Sequence, residues 1–148
     1  MRFFKQRVFV LLISAPAIGH AQIQPGQWEA VVTIHSIDMP GAPPQVAAMM
    51  KGKTTRQSYC ITAEEAKRGP QEMLKQQPSC RFGKYVMAQG TIATEMTCLQ
   101  NGETMAVRAS GSYTPTSFNV TSSATMTGRM SMRMTSTSTG KRIGACSK

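Results

Sequence analysis

Met126, Met130, Met132 and Met134 fall at even spacing along one strand-like stretch, and the strand register set out below places Met96 and Met105 beside them. Thioethers are soft ligands suited to Cu(I). A greasy, deformable methionine surface also receives an apolar ligand or another protein. These six residues, with Trp28 as an aromatic platform, are the candidate ligand-binding set. The competing reading is structural: period-two spacing is what a core face gives, and methionine readily fills the core of a narrow sheet. The sequence favours that reading. Trp28, the single tryptophan, likewise reads as core, with ligand stacking as its alternative.

Groups for catalysis are sparse. Beyond residue 21 the chain holds one histidine, His35, and one aspartate, Asp38. Glu29, Glu95 and Glu103 fall on strands without an obvious carboxylate partner, and no Gly-x-Ser-x-Gly elbow occurs. Only Glu and Tyr side chains remain from which an active site could be assembled, so no catalytic residue is assigned and an enzyme is not the expected reading. The four cysteines, Cys60, Cys80, Cys98 and Cys146, contain no Cys-x-x-Cys pair. Zinc is therefore disfavoured, and neither a metal nor a cofactor is expected. An even number of cysteines in an exported domain reads as two disulfides.

The elements that position these residues follow from the turns. A three-residue turn at Ala88-Gln89-Gly90, with Gly90 left-handed, sets Val86 opposite Ile92, Phe82 opposite Met96 and Cys80 opposite Cys98. Directly opposed Cβ atoms lie roughly 4.5–5.5 Å apart, so Cys80–Cys98 is the favoured disulfide and Cys60–Cys146 remains for the second. The second bridge closes a loop of over eighty residues. Asn101-Gly102 is the signal of a two-residue type I′ hairpin and sets Cys98 opposite Met105, Met96 opposite Val107 and Thr94 opposite Ala109. A four-residue link, Thr114 to Ser117, sets Tyr113 opposite Phe118, Val107 opposite Ala124 and Met105 opposite Met126. A three-residue turn, Thr127-Gly128-Arg129, sets Met126 opposite Met130 and Ala124 opposite Met132. The inward set is then mostly apolar through five strands; Ser122, Ser136 and Ser138 break it. A one-residue slip would exchange the faces.

Upstream, Trp28, Ala30, Val32 and Ile34 alternate with Glu29, Val31, Thr33 and His35 as a half-buried strand. Met39 to Lys53 is proline-rich at its start and reads as a long surface loop, with one helical turn over Val46 to Met50. It is the first place to seek a partner site. Thr54 to Ile61 reads as a second strand. Thr62-Ala63-Glu64-Glu65 fits a capping box that opens a short helix. Gly69-Pro70 interrupts it, and a further turn is expected over Gln71 to Lys75, lying across the sheet or its open end.

Residues 1–21 combine a basic start (Arg2, Lys5, Arg7), an apolar run from Val8 to Ile18, and the small residues Gly19 and Ala21 around His20. This is the pattern of a secretory signal peptide, leaving residues 22–148 as a single β domain with two disulfides in a periplasmic or secreted location. No later apolar run approaches the roughly 18 residues of a membrane span. Loss of the three basic residues takes the formal charge from +10 to +7. Envelope proteins or anionic envelope polymers are the partners such a charge would suit. The basic residues are scattered without aromatic interleaving, which does not suit nucleic acid.

Pro25-Gly26-Gln27-Trp28-Glu29, Met39-Pro40-Gly41, Tyr59-Cys60-Ile61-Thr62, Cys80, Cys98 and Gly140-Lys141-Arg142-Ile143-Gly144-Ala145-Cys146 occur in this order. In these residues the chain resembles the small exported bacterial proteins grouped as domain of unknown function 3617, over essentially all of residues 22–148. The resemblance implies an envelope location and a mostly β fold, and it brings no activity. The resulting expectation is a mainly β domain, an antiparallel meander of about seven strands forming a curved sheet or partly open barrel, with one short helix between strands two and three. Its expected role is binding or structural, without catalysis. The alternative is a periplasmic Cu(I) or apolar-ligand binding protein that uses the methionine face.

Overall fold

A computed structural model describes residues 23–69 and 78–147. The signal peptide expected over residues 1–21 and the helical turn expected over Gln71 to Lys75 lie outside the described residues. Among the described residues, seven strands and two short helices follow one another as β1 (Gly26–Asp38), α1 (Pro44–Met50), β2 (Thr54–Ile61), α2 (Ala63–Arg68), β3 (Cys80–Ala88), β4 (Thr91–Gln100), β5 (Glu103–Thr114), β6 (Ser117–Thr127) and β7 (Met132–Gly144). All seven form one antiparallel sheet in the order β2-β1-β7-β6-β5-β4-β3. From β3 to β7 this is the expected meander. The β1–β2 hairpin then joins it by laying β1 along β7. β2 and β3 are the two edges, and the sheet does not close between them.

The alternation expected from the sequence sets the faces. Even-numbered residues of β4, β6 and β7 and odd-numbered residues of β5 share one side with Trp28, Ala30 and Val32 of β1. Trp28, Ala30, Cys98, Tyr113, Ala124 and Ser136 are buried on this side. The opposite side carries Thr, Ser, Asn, Arg and Glu, tied by the ion pairs Arg56–Glu29 at 3.0 Å and Arg108–Glu95 at 3.7 Å. His35 is exposed and hydrogen-bonds Thr137 at 2.7 Å. Threonine and β-branched residues favour this pleated, half-covered setting.

The turns decide the register, and they depart from expectation in two places. Asn101-Gly102 forms its two-residue turn with both residues at positive φ, and all pairings drawn from it are present. Tyr113 faces Phe118 as expected, while Thr114 and Ser117 themselves pair, so the link is Pro115-Thr116 alone. In the β3–β4 hairpin, Cys80 faces Cys98 and Phe82 faces Met96, but a bulge between Phe82 and Lys84 adds one residue. The turn is then Gln89-Gly90, both at positive φ, rather than three residues. Val86 does not face Ile92; it points outward at 39% exposure, and Tyr85 and Met87 take the inner face. Gly83 stands at the bulge, where the absence of a Cβ eases the local twist.

The second departure is the β6–β7 connection, which spans five residues from Thr127 to Ser131 when counted from the last pair. Met126 therefore faces Met132, not Met130, and Ala124 faces Met134, not Met132. Met130 sits in the turn at 55% exposure and does not belong to the strand face. The slip is two residues, so the faces survive it.

Both disulfides connect as expected. Cys80–Cys98 crosses the β3–β4 hairpin, and Cys60–Cys146 joins the end of β2 to the segment after β7, spanning 86 residues. The capping box of α2 is complete: Thr62 Oγ1 accepts from the Glu65 amide, and Glu65 accepts from the Thr62 amide at 2.8 Å. The Met39–Lys53 segment contains α1, a full short helix with no buried residue and Met49 80% exposed.

Candidate functional site

The inner face divides along the strands into an aromatic end and a sulfur end. At the aromatic end lies an apolar cavity of about 490 Å³, lined from both edges of the sheet and from its centre. Tyr59 and Ile61 enter from β2, Tyr85 and Met87 from β3, Trp28 from β1 and Phe118 from β6. Strands at opposite edges can share one cavity only if the sheet curls, so the inner face is concave.

Trp28 is the floor. It is fully buried, its ring stacks on Phe118 with centroids 6.2 Å apart, and its Nε1 donates to the Gln24 carbonyl at 3.0 Å. That bond satisfies the indole N–H, which burial would otherwise penalise. It also holds Gln24 beside the cavity, with the Gln24 amide donating to Pro115 O at 2.8 Å. Phe118 lies flat over Gly140, its partner on β7, where any Cβ would run into the ring. The glycine thus sets how deeply Phe118 can sink. Phe82 meets Tyr85 edge to face at 6.1 Å, and the Tyr85 hydroxyl donates to Met87 Sδ at 3.3 Å.

The polar content is small. Burial pushes the Tyr59 phenol above its ordinary pKa, because the phenolate would lose its hydration there. Its hydroxyl is therefore a neutral donor at physiological pH. It has no hydrogen-bond partner among the described residues. Ser138 supplies a second hydroxyl. Among the described residues the lining contains no carboxylate, histidine, lysine or arginine. A cavity of this kind can hold an apolar body and offer it one or two neutral hydrogen bonds.

At the sulfur end, Cys98, Asn101, Glu103, Met105 and Met126 line a smaller recess of about 100 Å³. Of the expected ligand-binding residues, Trp28 lines the large cavity and Met105 and Met126 line the small one. Met96, Met132 and Met134 are half-buried on the same concave face, and Met130 is in the turn. Sequence reasoning missed Tyr59, Ile61, Tyr85 and Met87. Gly83 within a strand was the available signal for the bulge that turns Tyr85 and Met87 inward. For Tyr59 and Ile61 there was none, because no turn counts β2 into register with the meander. Among the described residues no three His, Cys, Asp or Glu side chains converge as a metal site, and no helix is long and apolar enough to cross a membrane.

Residues 23–146 match the family described as "Protein of unknown function (DUF3617)". No curated protein and no solved structure matches the chain. The match spans most of the chain, which belongs to this family.

Proposed function

We propose that this family member is an exported binding protein whose aromatic cavity takes a small apolar ligand carrying one hydrogen-bonding group. The observation that carries the reading is the cavity itself. Its volume of about 490 Å³ falls in the range of small-molecule sites, roughly 300–1,000 Å³. Its walls are mostly aromatic and aliphatic, and Tyr59, one of the lining residues, would use its hydroxyl to orient a ligand's polar group. Two disulfides support an oxidising location, periplasmic or secreted. The formal charge of +7 without residues 1–21 suits an envelope protein or anionic envelope polymer as a neighbour. Binding without catalysis is the role that such a lining suits.

Trp28 is a built-in reporter, being the only tryptophan. A brominated long-chain fatty acid titrated into the protein should quench its fluorescence saturably. Val120→Phe, which fills the cavity from β6, should abolish the quenching while the disulfides and far-ultraviolet circular dichroism stay unchanged. Tyr59→Phe should weaken it by removing the orienting hydroxyl. Quenching that is absent, or that persists undiminished in Val120→Phe, would sink the reading.

A further inference from the structure

One lateral row of the concave face consists of sulfur residues alone. Cys80 faces Cys98, Cys98 faces Met105, Met105 faces Met126, and Met126 faces Met132, across β3, β4, β5, β6 and β7. The next row inward runs Phe82, Met96, Val107, Ala124, Met134, the ordinary mixture of a packed face. The two cysteines are bonded to each other. The three methionines hold free thioethers on adjacent strands, and all three are half-buried, so solvent reaches them. From this geometry we infer that Met105, Met126 and Met132 form a site for a soft monovalent cation, Cu(I) or its analogue Ag(I).

Three considerations carry the assignment. Directly opposed side chains in a sheet have Cβ atoms roughly 4.5–5.5 Å apart, and each methionine adds a flexible stem, so three sulfurs can converge on one ion. Thioether sulfur selects Cu(I) over harder metals. Among the described residues the recess beside them is lined by Glu103 and Asn101 and by no basic residue, in a chain that is otherwise strongly basic. Glu103 makes no ion pair among the described residues, so its carboxylate favours a cation there. The site is separate from the aromatic cavity: Thr94, the cavity residue of β4 nearest to it, faces Ala109, which lies four residues along β5 from Met105, about 13 Å at the rise of an extended strand. It stands whether or not that cavity binds an apolar ligand.

Ag(I) alone is the probe, since it mimics Cu(I) without a reductant and leaves the disulfides intact. Protein labelled with 13C in the methionine methyl groups would be titrated with silver nitrate in a chloride-free buffer. The methyl signals of Met105, Met126 and Met132 should shift together and saturate, with Met49 and Met130 unmoved. Met126→Leu, close in volume and apolar, should weaken binding by at least about tenfold, the scale seen when even an outer partner of a metal site is lost. Met105→Leu and Met132→Leu should act alike, so failure of one variant to fold leaves two others to decide. Met96→Leu, one row away, should change nothing. No shift with silver, shifts spread evenly over every methionine, or undiminished affinity in the three leucine variants would overturn the assignment.

Discussion

Ser122 and Ser136 interrupt the apolar face near its centre, and the register places them directly opposite each other. Their hydroxyls meet at 2.9 Å, and Ser136 is only 5% exposed. Each satisfies the other, which is why two polar residues are tolerated there. Ser136→Ala should therefore lower stability by about 1 kcal/mol, since it leaves the half-buried Ser122 hydroxyl short of a partner. Replacing both with alanine should cost less than the two single losses added together. Urea unfolding of the four proteins measures this, and strict additivity would mean the hydroxyls are not coupled. Trp28, its stacking on Phe118 and the closeness of Phe118 to Gly140 follow the same logic at the aromatic end: one residue without a side chain lets two rings pack.

Among the elements, α2 depends most on local chemistry. It has six residues, none buried, so capping rather than packing defines its start. The Glu65 carboxylate accepts from the Thr62 amide and hydroxyl, and these bonds hold its pKa below the ordinary value; the Arg68 charge adds to them. A carboxyl whose folded pKa is lowered stabilises the fold above its unfolded pKa, about 4.3 for glutamate. That contribution is lost as pH falls through the lower, folded value. The amides of α2 should accordingly lose exchange protection on acidification below about pH 4.3, while those of β5 and β6 remain protected. Followed by NMR, a Thr62→Ala variant should show the Glu65 carboxyl titrating higher than in the parent protein yet still below its ordinary value, because the hydroxyl bond is lost while the backbone amide bond and the Arg68 charge remain. An unchanged Glu65 titration in that variant would show that the cap does not set the shift. The β3–β4 hairpin shows the other kind of element, in which a bulge changes the facing of half a strand: Phe82 stays inward as alternation demands, yet Val86 does not.

The whole molecule is a thin, curved layer, and covalent bonds compensate for a modest core. Cys60–Cys146 spans 86 residues and ties together the two strands that flank β1. Its loss should cost about 4–5 kcal/mol from loop-closure entropy, against about 3 kcal/mol for Cys80–Cys98, which closes a far shorter hairpin. Paired Cys→Ser variants compared by denaturant unfolding would show this order; a larger loss from the hairpin bridge would reverse the argument. The sequence by itself determined the meander from β3 to β7, the sidedness of β4 to β7 and of β3 as far as its bulge, both disulfides and the α2 cap. The meander follows from alternation and from turns short enough to count, Cys80–Cys98 from that register, Cys60–Cys146 by elimination, and the cap from the Thr62-to-Glu65 spacing. Placing β1 between β2 and β7 needed the tertiary structure, because Val32 and Ser138 pair across more than a hundred residues with no turn to relate them. So did the sulfur row. Alternation has period two, and a two-residue slip at the β6–β7 turn preserves every face while exchanging Met130 for Met132 as the partner of Met126. The aromatic cavity depends on curvature, a property of the assembled sheet that brings Tyr59 and Tyr85 from opposite edges to one space.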